Sequence, residues 1–167
     1  YYPSSEKNID ILSFGRNFKL FHEKISDALL SQQINYKFPT EEKMVFADRE
    51  SFIEGLARTK ISVCFPTNIT HSERAGNIET MTNRYLQSMA SKCLVLGKAP
   101  AEMITLFGYN PAVEVDMKNP AKQVIDILAN FEKYTELIDK NYETVVKYHT
   151  WKNRWESIST IISKKII

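Results

Sequence analysis

The chain has 167 residues, 43% of them apolar and 25% charged, and its 22 basic and 20 acidic side chains leave a net charge of only +2. With 11% aromatics, that balance excludes a disordered chain, and the length suits one domain with a sizeable core or one domain carrying extra terminal helices. Lysine outnumbers arginine 16 to 6 and is scattered through helical stretches, so the basic stripe of a nucleic-acid binder is missing and no nucleic-acid partner is expected. No apolar run is long enough to span a bilayer, so no transmembrane segment is expected. Cys64 and Cys93 lie inside apolar runs, which argues against a disulfide scaffold or a zinc site. A first residue of Tyr1 rather than Met leads to the expectation of a piece from a longer intracellular protein.

The first element is the β-type run Ile9-Asp10-Ile11-Leu12-Ser13-Phe14, stopped by Gly15-Arg16. Phe18, Phe21, Ile25 and Leu29 follow at helical spacing, so strand, glycine turn and helix open a βαβ unit. A short strand is predicted over 34–38, closed by Pro39, and a helix over 49–58 that buries Phe52, Ile53 and Leu56. Residues 61–65 (ISVCF) read as a strand buried on both faces, ending at Pro66. Residues 67–78 are polar and lack periodicity, a long connection of the kind that carries function. A helix over 80–90 then places Tyr85, Leu86 and Met89 in the core, followed by a strand at 93–96, a short helix at 101–107 and a last strand at 112–115. From Pro120 onward the pattern is helical.

Buried strands alternating with helices predict an α/β fold: a Rossmann-like open, mostly parallel sheet flanked by helices, with a helical C-terminal tail from about residue 120. Residues 1–167 are read as a single domain. In such sheets a ligand sits beyond the carboxyl ends of the strands, which points to Gly15-Arg16, the 66–78 loop and the 97–102 turn. The chain has no Gly-x-Gly-x-x-Gly after its first strand, no P-loop, no Gly-x-Ser-x-Gly and no Asp-x-Asp, and its three histidines lack metal-ligand spacing. Neither a metal nor a cofactor is expected, and the chemistry falls to cationic side chains and backbone amides.

Gly15-Arg16 suits that chemistry. Glycine lets the backbone approach a ligand, arginine clamps phosphate oxygens, and the following helix aims its first amides at the same point, with Lys19 adding charge. The plain alternative is a tight turn with a surface arginine. The second constellation is Glu79 and Gln87, eight apart, flanking TMTNRYL and running through Gln87-Ser88-Met89-Ala90-Ser91-Lys92 into the strand Cys93-Leu94-Val95-Leu96. Structural alternatives are an acid at a helix start for Glu79, a helix-face amide for Gln87, an ion pair with Glu79 or Glu73 for Arg84, and packing at a helix junction for His149 and Trp151.

This constellation resembles the C-terminal, donor-binding Rossmann domain of GT-B-fold bacterial glycosyltransferases. Many retaining members carry Glu, seven residues, Glu, then a small-residue helix end and an apolar strand. The Thr82 to Tyr85 segment is similar to the group related to spore-coat maturation proteins, which has an arginine before this helix. Gly15-Arg16 stands at that family's Gly-Arg turn, and YETVVKYHTWKNRW (142–155) resembles its closing His-Thr-Trp-x-x-Arg helices, so the resemblance spans about 9–162. Two departures stand out: Gln87 replaces the second glutamate, and Lys92 replaces the usual glycine before the strand. An amide still bonds a ribose hydroxyl, without charge assistance.

The resemblance implies one half of a GT-B fold from a two-domain chain, in a cytoplasmic protein or one peripheral to the inner face of the membrane. It implies a hexosyltransferase-type enzyme of polysaccharide biosynthesis that moves a sugar from a nucleoside diphosphate sugar to an acceptor hydroxyl without a bound metal. Glu79 would be the catalytic residue at the sugar, Gln87 would hold the ribose, and Gly15, Arg16, Lys19 and Arg84 would bind the rest of the donor. His71 and Glu73 are further candidates to face it. The acceptor site and usual catalytic base would come from a missing N-terminal Rossmann domain, leaving the isolated piece inactive or weakly active. The alternatives are a degenerate, non-catalytic member that binds a nucleotide or a protein, which Gln87 and Lys92 favour, and an unrelated α/β binding module such as a receiver-like domain.

Overall fold

The computed structural model describes residues 1–16, 18–40 and 44–165. Five strands form one wholly parallel sheet: β1 (Ile9–Ser13), β2 (Tyr36–Lys37), β3 (Thr59–Cys64), β4 (Leu94–Gly97) and β5 (Val113–Glu114), in the order β2-β1-β3-β4-β5. The helices are α1 (Lys19–Ser31), α2 (Arg49–Ala57), α3 (Thr67–Thr70), α4 (Ser72–Ala75), α5 (Asn83–Ala90), α6 (Ala101–Phe107), α7 (Pro120–Ala129), α8 (Thr135–Tyr148) and α9 (Trp151–Lys165). This is the Rossmann-like α/β sandwich with a helical C-terminal tail that the alternation predicts.

The strands are apolar on both faces because helices cover both. Ile11, Ile61, Val63, Leu94 and Leu96 pack on Phe21, Ile25 and Leu29 of α1 and on Val124 and Ile127 of α7. On the other side Cys64 and Val95 meet Tyr85 and Met89 of α5 and Met103 and Phe107 of α6, while Leu12 meets Leu56 of α2. Both cysteines are free and buried, and burial pushes the Cys93 thiol up to about 12. A polar pin also fixes α5: Ser88 Oγ donates to Arg84 O (2.7 Å) and lies 2.7 Å from Ser62 Oγ inside β3.

Four expectations need correction. Residues 67–78 are not an unstructured loop but contain the one-turn helices α3 and α4; neither buries a residue, so no hydrophobic period could reveal them. The helix predicted from residue 80 starts at Asn83, because Met81 N donates to the Glu102 carboxylate and Glu79 accepts from Ala101 N (3.1 Å), tying that stretch to the start of α6. Leu86 within that helix, like Phe52 and Ile53 in α2, is only half-buried; Ser88 and Gly55 are buried in these helices instead. Trp151 does not pack at the helix junction: it is 84% exposed, whereas His149 stacks on Phe107 with centroids 4.9 Å apart. Thr150 begins α9, with its Oγ1 accepting from Asn153 N (3.3 Å) and Asn153 Oδ1 accepting from Thr150 N (2.9 Å).

Two backbone positions frame β4, Gly97 at its carboxyl end and Lys92 just before its amino end. Gly97 has φ +153, and a Cβ there would stand 1.8 Å from the Cys64 carbonyl oxygen, which accepts from Lys98 N (3.1 Å). Lys92, where the resembling family has glycine, takes φ +51; its ammonium pairs with Asp139 (2.7 Å) and sits 5.0 Å from the centre of the Tyr142 ring. Gly97→Ala should lower the unfolding free energy in urea by about 3 kcal/mol or more, since backbone rather than a flexible side chain must move. Lys92→Gly should prove about 1 kcal/mol more stable than Lys92→Ala in the same assay, because both lose the ion pair but only alanine keeps the left-handed strain.

Candidate functional site

The strand order reverses between β1 and β3: the chain leaves β1 toward β2, then returns past β1 to lay down β3, β4 and β5. The two crossovers diverge there and open a crevice beyond the carboxyl ends of β1 and β3. Phe14-Gly15-Arg16 and Phe65-Pro66-Thr67 form its lips.

Arg84 lies across it. Its Nη1 donates to Phe14 O (3.3 Å) and Arg16 O (3.0 Å), and its Nη2 donates to Phe65 O (3.0 Å). One guanidinium thus ties the turn after β1 to the residue after β3, and Arg84 pairs with neither Glu79 nor Glu73. Gly15 beneath it has φ +69, a left-handed turn that favours glycine, and a Cβ there would just touch Arg84 Cδ at 3.4 Å. Arg16 is exposed and reaches the opposite lip, where its Nη1 donates to Thr67 Oγ1 (3.0 Å). Beside it, α1 begins with no side-chain cap among the described residues and no acid in its first turn, so its amide end suits an anion. Lys19 opens that helix, exposed and 3.8 Å from Glu23.

Against this crevice stands a cavity of about 500 Å³, with Phe14, Gly15, Phe46, Phe52, Arg84 and Gln87 among its lining residues. Its walls are mostly apolar and aromatic, and Arg84 and Gln87 bring polar groups to it. Three flat rings with a few polar groups suit a planar heterocycle whose edge needs hydrogen bonds. The half-burial of Phe52 and Gln87 follows from their place in this wall. Asp48 lines it too, with its Oδ1 accepting from Ser51 N (2.7 Å) to start α2. No sequence pattern had singled out Phe46, Phe52 or Asp48 for a site; the polar stretch before α2 was the available signal.

Glu79 lies one strand further along the same edge. Its Oε1 is 2.8 Å from Lys98 Nζ, just past β4, and its Oε2 accepts from Ala101 N at the start of α6. The Lys98 ammonium first, and that amide second, hold its carboxyl below the ordinary glutamate value, so near neutral pH it is an anion and not a proton donor. It is a helix-start acid, but for α6 rather than for the helix that follows it in sequence. The 97–102 turn, expected to line the nucleotide pocket, is absent from the cavity wall. His71 and Glu73 lie in the one-turn helices or the bend between them; Glu73 is exposed and 3.8 Å from Arg74. Asn68 Oδ1, His71 Nδ1 and Thr82 Oγ1 are shielded from solvent without a hydrogen-bond partner among the described residues.

The structure therefore brings Gly15, Arg16, Arg84 and Gln87 together at the switch point, with Lys19 on the adjoining helix and Glu79 in a separate cluster. A family model described as glycosyl transferase-like matches residues 13–160, which contain all of these groups. Among curated proteins, none matches the chain.

Arg84→Ala should cost about 2–3 kcal/mol in urea unfolding, because three carbonyl oxygens lose a charged donor; Arg84→Lys should recover only part, since one ammonium nitrogen does not reproduce the fixed spacing of two guanidinium nitrogens. Glu79→Gln should be less stable than the parent near neutral pH. A carboxyl with a depressed folded-state pKa stabilises above its unfolded pKa and loses that contribution as pH falls through the folded value. The two unfolding curves should therefore converge in acid, below the ordinary glutamate range.

Proposed function

The chain belongs to the glycosyl transferase-like family, and from that premise we propose that it is the donor-binding half of a GT-B-type glycosyltransferase acting on a nucleoside diphosphate sugar. The observation that carries this reading is the join of a cationic crevice to an aromatic cavity at the β1/β3 switch point. The base lies against the aromatic wall formed by Phe14, Phe46 and Phe52, the ribose meets Gln87, and the diphosphate runs along the lip toward Arg16 and the start of α1.

In the transfer, the bond from the sugar's anomeric carbon to the diphosphate oxygen breaks, and a bond from that carbon to the acceptor oxygen forms. The electron pair of the breaking bond stays with the diphosphate. Arg16, Lys19 and the first amides of α1 stabilise that charge, an electrostatic role that needs no proton from the chain. Arg84 has two of its nitrogens on backbone carbonyls, so it shapes the crevice and lends positive potential to it. Glu79, held as an anion at the same sheet edge, stands on the sugar side together with the polar atoms of Asn68, His71 and Thr82 that have no partner among the described residues. The acceptor and the base that takes its proton belong to a second Rossmann domain preceding this one, so these residues alone bind donor and turn it over slowly. Among the described residues no helix is long and apolar enough to cross a membrane. The protein works in the cytoplasm or at the inner membrane face, in building polysaccharide.

Calorimetric titration with UDP, GDP, ADP and CMP tests the reading. One of the four should bind selectively, and Arg16→Ala should weaken that binding about tenfold or more, as loss of a charge-assisted phosphate contact does. Failure of all four to bind would overturn it.

A further inference from the structure

Gln87 stands where the resembling family carries a carboxylate, and an amide at that position has an orientation problem. A carboxylate presents two equivalent acceptor oxygens, whereas a primary amide presents one acceptor and one donor, and either can face the ligand. In the structure one of the two orientations is held. Gln87 Nε2 donates to the phenol oxygen of Tyr1 (2.5 Å), 86 residues away in sequence. Tyr1 does not line the cavity, but it touches two residues that do: Gln87 through its hydroxyl and Phe52 through its ring, edge-on with centroids 6.1 Å apart.

The contact is prepared by the segment before β1. Lys7 Nζ donates to Thr59 O (3.0 Å) and Ser91 O (2.7 Å), and burial lowers its pKa. Ser4 N donates to Ala57 O (3.3 Å), and Glu6 lies 3.4 Å from Arg58. The segment is thus pinned at the end of α2 and runs back along that helix, from Ala57 to Phe52, before it reaches α5.

We infer that Tyr1 is a positioning residue for ribose recognition: by occupying Nε2 of Gln87 it commits the amide oxygen to the cavity, where it accepts from a ribose hydroxyl as a carboxylate would. The inference rests on the donor reading above and specifies the ligand further, since an acceptor at this point requires a free sugar hydroxyl on the nucleotide. In the structure the phenol accepts from the amide while its ring stays on Phe52.

The test compares UDP, GDP, ADP and CMP with their 2′-deoxy counterparts by calorimetry in four proteins: the parent, Tyr1→Phe, Gln87→Glu, and the double variant. The parent should prefer the ribonucleotide. Tyr1→Phe keeps the ring and should lose about two- to tenfold of that preference, the worth of one hydrogen bond, with an unchanged urea midpoint. The double variant should regain the preference, because a carboxylate needs no orienting partner; a merely structural Tyr1 would leave the ratio alone. An equal ribo-to-deoxy ratio in parent and Tyr1→Phe, or no preference in the parent, would overturn the inference while leaving the donor reading in place. Absence of binding by every nucleotide to every variant would overturn the donor reading and the inference with it.

Discussion

The guanidinium of Arg84 joins the chain just past two paired strands, β1 and β3, where the ladder between them has ended. At a switch point the crossovers diverge, so the carbonyl oxygens just past β1 and β3 have no neighbouring strand to donate to them. Arg84 supplies the donors from α5, at 3.0–3.3 Å to Phe14, Arg16 and Phe65. The rest of the site follows from this bridge. It ties the two lips together, stands beside the Arg16 contact that spans from one lip to Thr67 on the other, and passes over Gly15, whose φ of +69 suits glycine. It also places a fixed positive charge at the crevice. A lysine in its place would bring one nitrogen where the guanidinium brings two at a fixed spacing.

The carboxyl edge of the sheet divides into two electrostatic neighbourhoods. At β1 and β3, Arg16, Arg84 and the start of α1 are positive and Gln87 is an amide, while the Asp48 carboxylate in the same wall is engaged by the Ser51 amide. Beyond β4, Glu79 is held as an anion by Lys98 and by the start of α6, and Glu102 of that helix accepts in return from Met81. That exchange stretches residues 79–82 into a strap and delays α5 to Asn83. A ligand lying along the edge meets positive potential at one end and carboxylates already engaged with cations or amides at the other. This polarity suits a phosphate-bearing molecule bound with its anion toward β1.

Much of the architecture was legible in the sequence because it rests on local periodicity. The runs at 9–14, 61–65 and 93–96 became β1, β3 and β4 to within a few residues, and the helix at 101–107 has those same bounds. Helical spacing of Phe21, Ile25 and Leu29 named the buried stripe of α1. Reading failed where an element was too short or too exposed to carry a period, as in α3 and α4. It failed again where a residue that looked like core turned out to face a cavity, as Phe52 does. Apolarity marks burial but not whether the neighbour is a packed side chain or an opening.

The sequence by itself determined the alternation of strands and helices, the double-faced burial of the central strands, the Gly15-Arg16 turn, and the resemblance in Glu79, Gln87 and the stretch between them. These are properties of a residue and its near neighbours, and side-chain chemistry and backbone geometry act there directly. Only the tertiary structure decided the order β2-β1-β3-β4-β5, the contact of Arg84 with carbonyls instead of carboxylates, the pairing of Glu79 with Lys98, and the meeting of Tyr1 with Gln87. A charged or polar side chain reaches several partners of equal chemistry, and which one it meets depends on which chain ends the packed sheet brings together. That choice is made by contacts between residues far apart in sequence, and no local period records it.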